Sequence, residues 1–254
     1  ITTPLGDDVL LLSSFHAEEE MGRLFSYDVE LSSNDPEISF DDIVGKDVTI
    51  RLDIDDKKKR FFNGYVSDFT QLEPVSAMAH YQATLVPWFW FLTRIADCRI
   101  FQNKTVPDII QEVFASRGFD QFELRLSGSY RSWENCVQYR ESDFNFVSRL
   151  MEQEGMYYFF THGDGEHTMV LADAPAAHEP CPGCEKVIYY PWDGDVDLLG
   201  IRDWTKRGKV CTGKFAHTDY DFKVPGKKLL KESEIGKGHA HSSYEHFDFP
   251  GEYV

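Results

Sequence analysis

The sequence predicts a mainly β fold that carries an α+β insert. Three observations lead there. The first ninety residues alternate apolar and polar side chains in period two. Two capped helical patterns and a tight hairpin come next, and strand-like segments return from about residue 185. With 254 residues, 42% hydrophobic and 15% aromatic, the chain can bury a sizeable core in more than one unit.

In the first stretch Phe25, Tyr27, Val29 and Leu31 share one strand face, and Ser26, Asp28 and Glu30 take the other. The same alternation assigns Val48, Ile50, Leu52 and Ile54 to one face, and then Tyr81, Ala83 and Leu85. Asn34-Asp35-Pro36, Asp55-Asp56 and Asn63-Gly64 read as breakers that separate or interrupt these runs. With no long helical pattern between the runs, an antiparallel barrel or sandwich is expected. Strict alternation also places Trp88 and Trp90 on one side of a strand, with at least one ring buried at a seam.

The period then changes. Thr105 and Asp108 form a capping-box-like start, Pro107 sits in the first turn, and Ile109, Ile110, Val113 and Phe114 line one side until Gly118 stops the helix. A second helix is expected from Ser142, with Phe146, Val147, Leu150 and Met151 on its apolar face and Gly155 as its end. Strands at 156–160 and 168–171 should flank the turn His162-Gly163-Asp164-Gly165. Val187 to Tyr190 and Val210 to Phe215 read as strands, while the Gly, Lys and His-rich stretch that follows has no assignable pattern.

Charge narrows the function. Lys and Arg total 26 against 43 Asp and Glu, a formal net charge of -17, which repels nucleic-acid phosphates and anionic lipid. The single basic run, Lys57 to Arg60, follows Asp53, Asp55 and Asp56 and reads as a solvated hairpin tip. No stretch approaches the length of a membrane span, and the N-terminus lacks the charged and apolar regions of a signal peptide. Five cysteines, an odd number, favour reduced thiols in a cytosolic folding compartment. Ile1 is not an initiator methionine and the last residues form no polar tail, so the chain reads as a segment of a longer polypeptide.

The sharpest candidate for chemistry is Cys181-Pro182-Gly183-Cys184, because two thiolates at this spacing can grip one zinc or form a redox disulfide. A second pair is missing, so His178, Cys211 or His217 would have to complete a metal site. His239, His241 and His246 form a further cluster, and alternating histidines on one strand project the same way, but a polar linker is the plainer reading. Glu141 with Asp143, and Glu152 with Glu154, are paired carboxylates of the kind used in acid-base work; in so acidic a chain they read as solvated helix faces. No GxSxG elbow, phosphate loop or dinucleotide glycine pattern appears. The residues thus assign no catalytic, cofactor-binding or metal position. The alternative is a metal-dependent or thiol redox enzyme built on Cys181, Cys184 and the histidines.

Several segments, in order, resemble the VgrG family of type VI secretion spike proteins: Gly22-Arg23-Leu24-Phe25-Ser26-Tyr27; Arg60-Phe61-Phe62-Asn63-Gly64-Tyr65-Val66; Pro87-Trp88-Phe89-Trp90-Phe91-Leu92; Asp97-Cys98-Arg99-Ile100-Phe101-Gln102; Cys136-Val137-Gln138-Tyr139-Arg140-Glu141-Ser142; and Arg149 through Tyr158. Such words cover most of residues 1–173, and Asp219-Tyr220-Asp221-Phe222 fits further on; Cys181 and Cys184 lie outside them. The resemblance implies a phage tail hub-like fold of antiparallel β-barrels plus an α+β domain. On that basis residues 1–95 form the first barrel, 96–184 the α+β domain with two helices and a hairpin, and 185–254 the strands that return to the first barrel and begin a second. It further implies a homotrimer that docks on the hexameric Hcp tube and carries effectors or adaptors. The hub would be cytoplasmic before firing and then be secreted or delivered into target cells. No role for this region in catalysis is implied, although some relatives carry toxic enzymatic extensions elsewhere.

Overall fold

The computed structural model describes residues 1–53, 59–73, 78–180, 186–190, 200–236 and 238–251. The chain divides into two compact units, 1–179 and 180–254.

The first unit opens with a five-stranded antiparallel sheet: β1 (Leu11–Glu18), β2 (Ser26–Ser33), β3 (Asp47–Asp53), β4 (Lys59–Gln71) and β5 (Ala79–Val86), in the spatial order β1-β2-β5-β4-β3. The sheet curls. Thr2, upstream of the edge strand β1, exchanges backbone hydrogen bonds of 2.8 and 3.0 Å with Thr49 of the opposite edge strand β3, so the N-terminal segment ties the two edges together. Phe25, Tyr27, Val29, Leu31, Tyr81, Ala83 and Leu85 are all buried, as their alternation requires. Val48 and Ile50 join them, but Leu52 is exposed because β3 runs past the core; Ile54 lies outside the described residues.

Asn63-Gly64 is no turn. Both residues sit in the middle of β4, paired with Thr49 and Val48 of β3. Gly64 is required by close packing: a Cβ there would lie 3.2 Å from Leu85 Cβ, from a Phe25 ring carbon and from the Val86 carbonyl oxygen.

The helical signals hold. Helix α1 (Val106–Ser116) starts on a reciprocal capping box between Thr105 and Asp108, and Gly118 follows it at φ +79°. Helix α2 (Asp143–Glu154) is capped by Ser142 and ends on the left-handed Gly155 at φ +72°. Ile109, Ile110, Val113, Phe114, Phe146, Val147 and Leu150 are fully buried in a shared core. Around the helices lie the ribbon of β6 (Ala96–Lys104) and β8 (Trp133–Ser142) and a three-stranded sheet. In that sheet β10 (Glu166–Ala172) pairs in parallel with β7 (Phe122–Arg125) and antiparallel with β9 (Tyr157–Gly163). The hairpin turn shrinks to Asp164-Gly165, because His162 and Gly163 remain in β9.

The Trp88–Phe91 run is not a strand. Residues Trp88–Arg94 form a 3-10 helix, which buries Trp88, Phe89 and Leu92 and leaves Trp90 and Phe91 half-buried. Trp88 stacks on Phe119 at 4.8 Å between ring centroids, and Phe91 meets Tyr65 of β4 edge-on at 5.4 Å, so the run joins the curled sheet to the helical core.

The second unit contains a short parallel pair, β11 (Ile188–Tyr189) with β12 (Gly200–Ile201), and a three-stranded sheet in the order β14-β13-β15. Its central strand β13 (Lys214–His217) lies downstream of the expected Val210 start. The Gly, Lys and His-rich stretch with no assignable pattern forms β14 (Lys231–Glu234) and β15 (Glu245–Asp248), the latter within the histidine cluster read as a linker; they pair with β13 antiparallel and parallel respectively.

Candidate functional site

Cys181 and Cys184 lie outside the described residues. Of the groups that would complete their site, His178 accepts or donates at 2.8 Å with the Tyr157 hydroxyl and packs on Phe159, while Cys211 Sγ lies 3.8 Å from His239 Nε2. His239 and His241 occupy a bend and a turn, and only His246 is on a strand, β15, so the three do not project from one face. His241 instead faces Tyr244, and His246 faces Phe215. Among the described residues no three His, Cys, Asp or Glu side chains gather as a metal site would require.

Of the paired carboxylates, Glu141, Asp143 and Glu154 have protein partners. Asp143 is fully buried at the start of α2, where it accepts from Arg99 at 2.6 Å, Arg117 at 2.7 Å and Gln138 at 2.7 Å. That network ties the end of α1 to the start of α2 and to the β6–β8 ribbon, and the Asp143 carboxylate beside Arg117 raises the guanidinium pKa further. Glu141 makes a forked pair with Arg149, and Glu154 accepts from the Trp133 indole at 3.4 Å. Asp173 closes a loop by accepting from the backbone N–H groups of Ser127 and Gly128 and from the Tyr130 hydroxyl, which holds its carboxyl down at about 2.

A second buried polar constellation is one the alternation patterns concealed. It joins β9 and β10 to the curled sheet. His167 on β10 is fully buried; its Nε2 accepts the Trp88 backbone N–H at 3.0 Å and its Nδ1 lies 2.6 Å from Asn63 Oδ1. Asn63 in turn uses its side-chain amide to donate to Asp47 and Thr49, each at 2.8 Å. Its own backbone N–H points to His162 Nδ1 at 3.2 Å, and His162 Nε2 lies 3.0 Å from the Tyr27 hydroxyl, which donates to Glu19 at 2.6 Å. These partners set the tautomers: His167 carries its proton on Nδ1 and His162 on Nε2, each ring using its other nitrogen as an acceptor. Burial lowers the pKa of both rings, that of His167 to about 3. The sequence did hold a signal, since His162 and His167 flank the hairpin turn and face each other across β9 and β10.

A curled antiparallel sheet with a helix pair packed beside it frames the first unit. The model of the phage tail baseplate hub (GPD) family matches residues 18–254, and the chain belongs to that family. Its relatives include VgrG spike proteins. The chain is 46% identical over 255 residues to the type VI secretion system spike protein VgrG1c of Pseudomonas aeruginosa, an alignment spanning 100% of this chain and 35% of the relative. The chain thus spans about a third of the length of that relative. Among solved structures, the E. coli c3393 protein, a type VI secretion component described as similar to T4 tail proteins gp27 and gp5, shares the fold. It matches at TM-score 0.62 and 24% identity over 72% of this chain and 52% of its own. A Francisella PdpA–VgrG complex matches at TM-score 0.53 and 11% identity over 93% of this chain and 39% of that chain.

Proposed function

We propose that this chain is the structural hub of a type VI secretion spike, which trimerises, docks on the hexameric Hcp tube and delivers effectors or adaptors when the sheath contracts. The observation that carries the reading is the VgrG match along the whole chain. In this reading the protein is assembled in the cytoplasm and leaves only on firing, and residues 185–254 complete the first barrel and open a second. No residue is assigned to catalysis, a cofactor or a metal.

The second unit supports association with further copies. Among its described residues Ala216 and Leu229 are the only buried hydrophobic side chains, whereas Trp204 is 72% exposed and Phe222 76% exposed. Large exposed apolar groups of this kind are the sort of surface that protein association covers. Symmetry adds a constraint: three chains meet a six-fold tube without mismatch when each offers two similar modules. Light scattering and electron microscopy on a chain extended through the second barrel test the proposal. A closed three-fold ring is expected; a stable monomer, or a ring of another order, overturns it.

A further inference from the structure

We propose that His162, Asn63 and His167 form an acid-sensitive latch, in which protonation of the two accepting ring nitrogens releases the β9–β10 hairpin from strand β4. The geometry argues for it at both ends. The first half of β4 pairs with β3 along one edge but extends beyond its pairing with β5, which begins at Tyr65, so the backbone N–H groups that face away from β3 need another partner. His162 Nδ1 supplies that partner for Asn63, and His167 Nε2 does the same for Trp88. A proton added to either nitrogen sets two N–H groups against each other at about hydrogen-bond distance, turning an attraction into a repulsion.

The two rings differ in access to charge. His162 has the Glu19 carboxylate 3.8 Å from Nε2, with Arg60 behind it at 3.6 Å from the same carboxylate and the Tyr27 hydroxyl between. His167 faces only aromatic edges, the neutral Asn63 and His162 itself, 5.9 Å away between ring centroids; Asp47 is screened from it by the Asn63 amide, and Tyr65 presents its ring. The first proton therefore enters at His162, where Glu19 holds the cation once the ring turns from Asn63. The resulting charge then opposes the second protonation, so His167 acts as the anchor and His162 as the trigger.

The sign follows from linkage. Both folded pKa values lie below the ordinary histidine value of about 6.5, so the open form binds protons first as pH falls. The latch is fully closed above that value. It weakens by up to about tenfold per pH unit for each histidine below it, until the folded pKa is reached, about 3 for His167.

The experiment is amide exchange on the full chain at pH 7 and pH 5, corrected for intrinsic rates. The expected result is lost protection at Asn63, Trp88 and β9 by at least about tenfold at pH 5, with β2 and β5 still protected. The His162→Asn, His167→Gln double variant, which keeps an acceptor near each N–H without a titrating ring, should hold protection at both pH values. Uniform protection across pH in the wild type, or the same acid loss in the double variant, overturns the latch. If the double variant does not fold, ring-nitrogen NMR of the wild type decides. Both rings neutral at pH 5.5 in the closed form supports the latch; ordinary titration near 6.5 with the hairpin still closed overturns it.

Discussion

Gly64 shows how much a single position can be asked to do. It lies mid-strand, where glycine ordinarily weakens a sheet, yet any side chain would press at once on Leu85, Phe25 and a backbone carbonyl. A Gly64→Val change should therefore destabilise the first unit by about 1 to 3 kcal/mol through overpacking, although valine favours strands. Denaturant unfolding measures it, and an unchanged or raised midpoint would refute the close approach. Asn63, next to it, is polar and buried for a different reason: its two ends and its backbone N–H join Asp47, Thr49 and both histidines into one chain. As a dipeptide the pair reads as a turn, because local chemistry says nothing of what another strand brings alongside.

Among the elements, the helices were the most legible. Their caps are local, since a Thr or Ser side chain reaches only the first turn that follows it, and glycine at the end needs only its own φ. Thr105→Ala should lower stability by about 1 kcal/mol by leaving the Asp108 N–H without its acceptor, and thermal melting should show a small, clear drop. The 3-10 helix at Trp88–Arg94 was illegible for the opposite reason. Five apolar residues in a run of six fit no period, and it is the buried side of Trp88 and Phe89 against α1 and α2 that selects the tighter winding. Trp88→Ala should cost about 3 to 5 kcal/mol, since its ring packs against Phe114 and Phe119 and its indole donates to the Gln121 carbonyl. A fully stable variant would show that the run does not support the core.

For the whole molecule, the hub reading and the enzyme reading make opposite forecasts about the thiols. A hub that uses no metal should contain far less than one zinc per chain in elemental analysis, and replacing Cys181 and Cys184 together by serine should leave assembly unchanged. One zinc per chain, or loss of assembly in that variant, would favour the Cys and His chemistry instead.

The sequence by itself determined the β-rich class, both helices with their ends, the β9–β10 hairpin and the resemblance to VgrG spike proteins, because each is written in short-range patterns or in matching words. Only the tertiary structure decided that Asn63 belongs inside a strand, that Asp143 is held by two arginines and that His162 and His167 share one buried network. Those facts depend on residues from 26 to 104 positions apart meeting in space. No periodicity records such meetings; they arise when packing brings unpaired polar groups together and the cost of burying them alone selects the partners that remain.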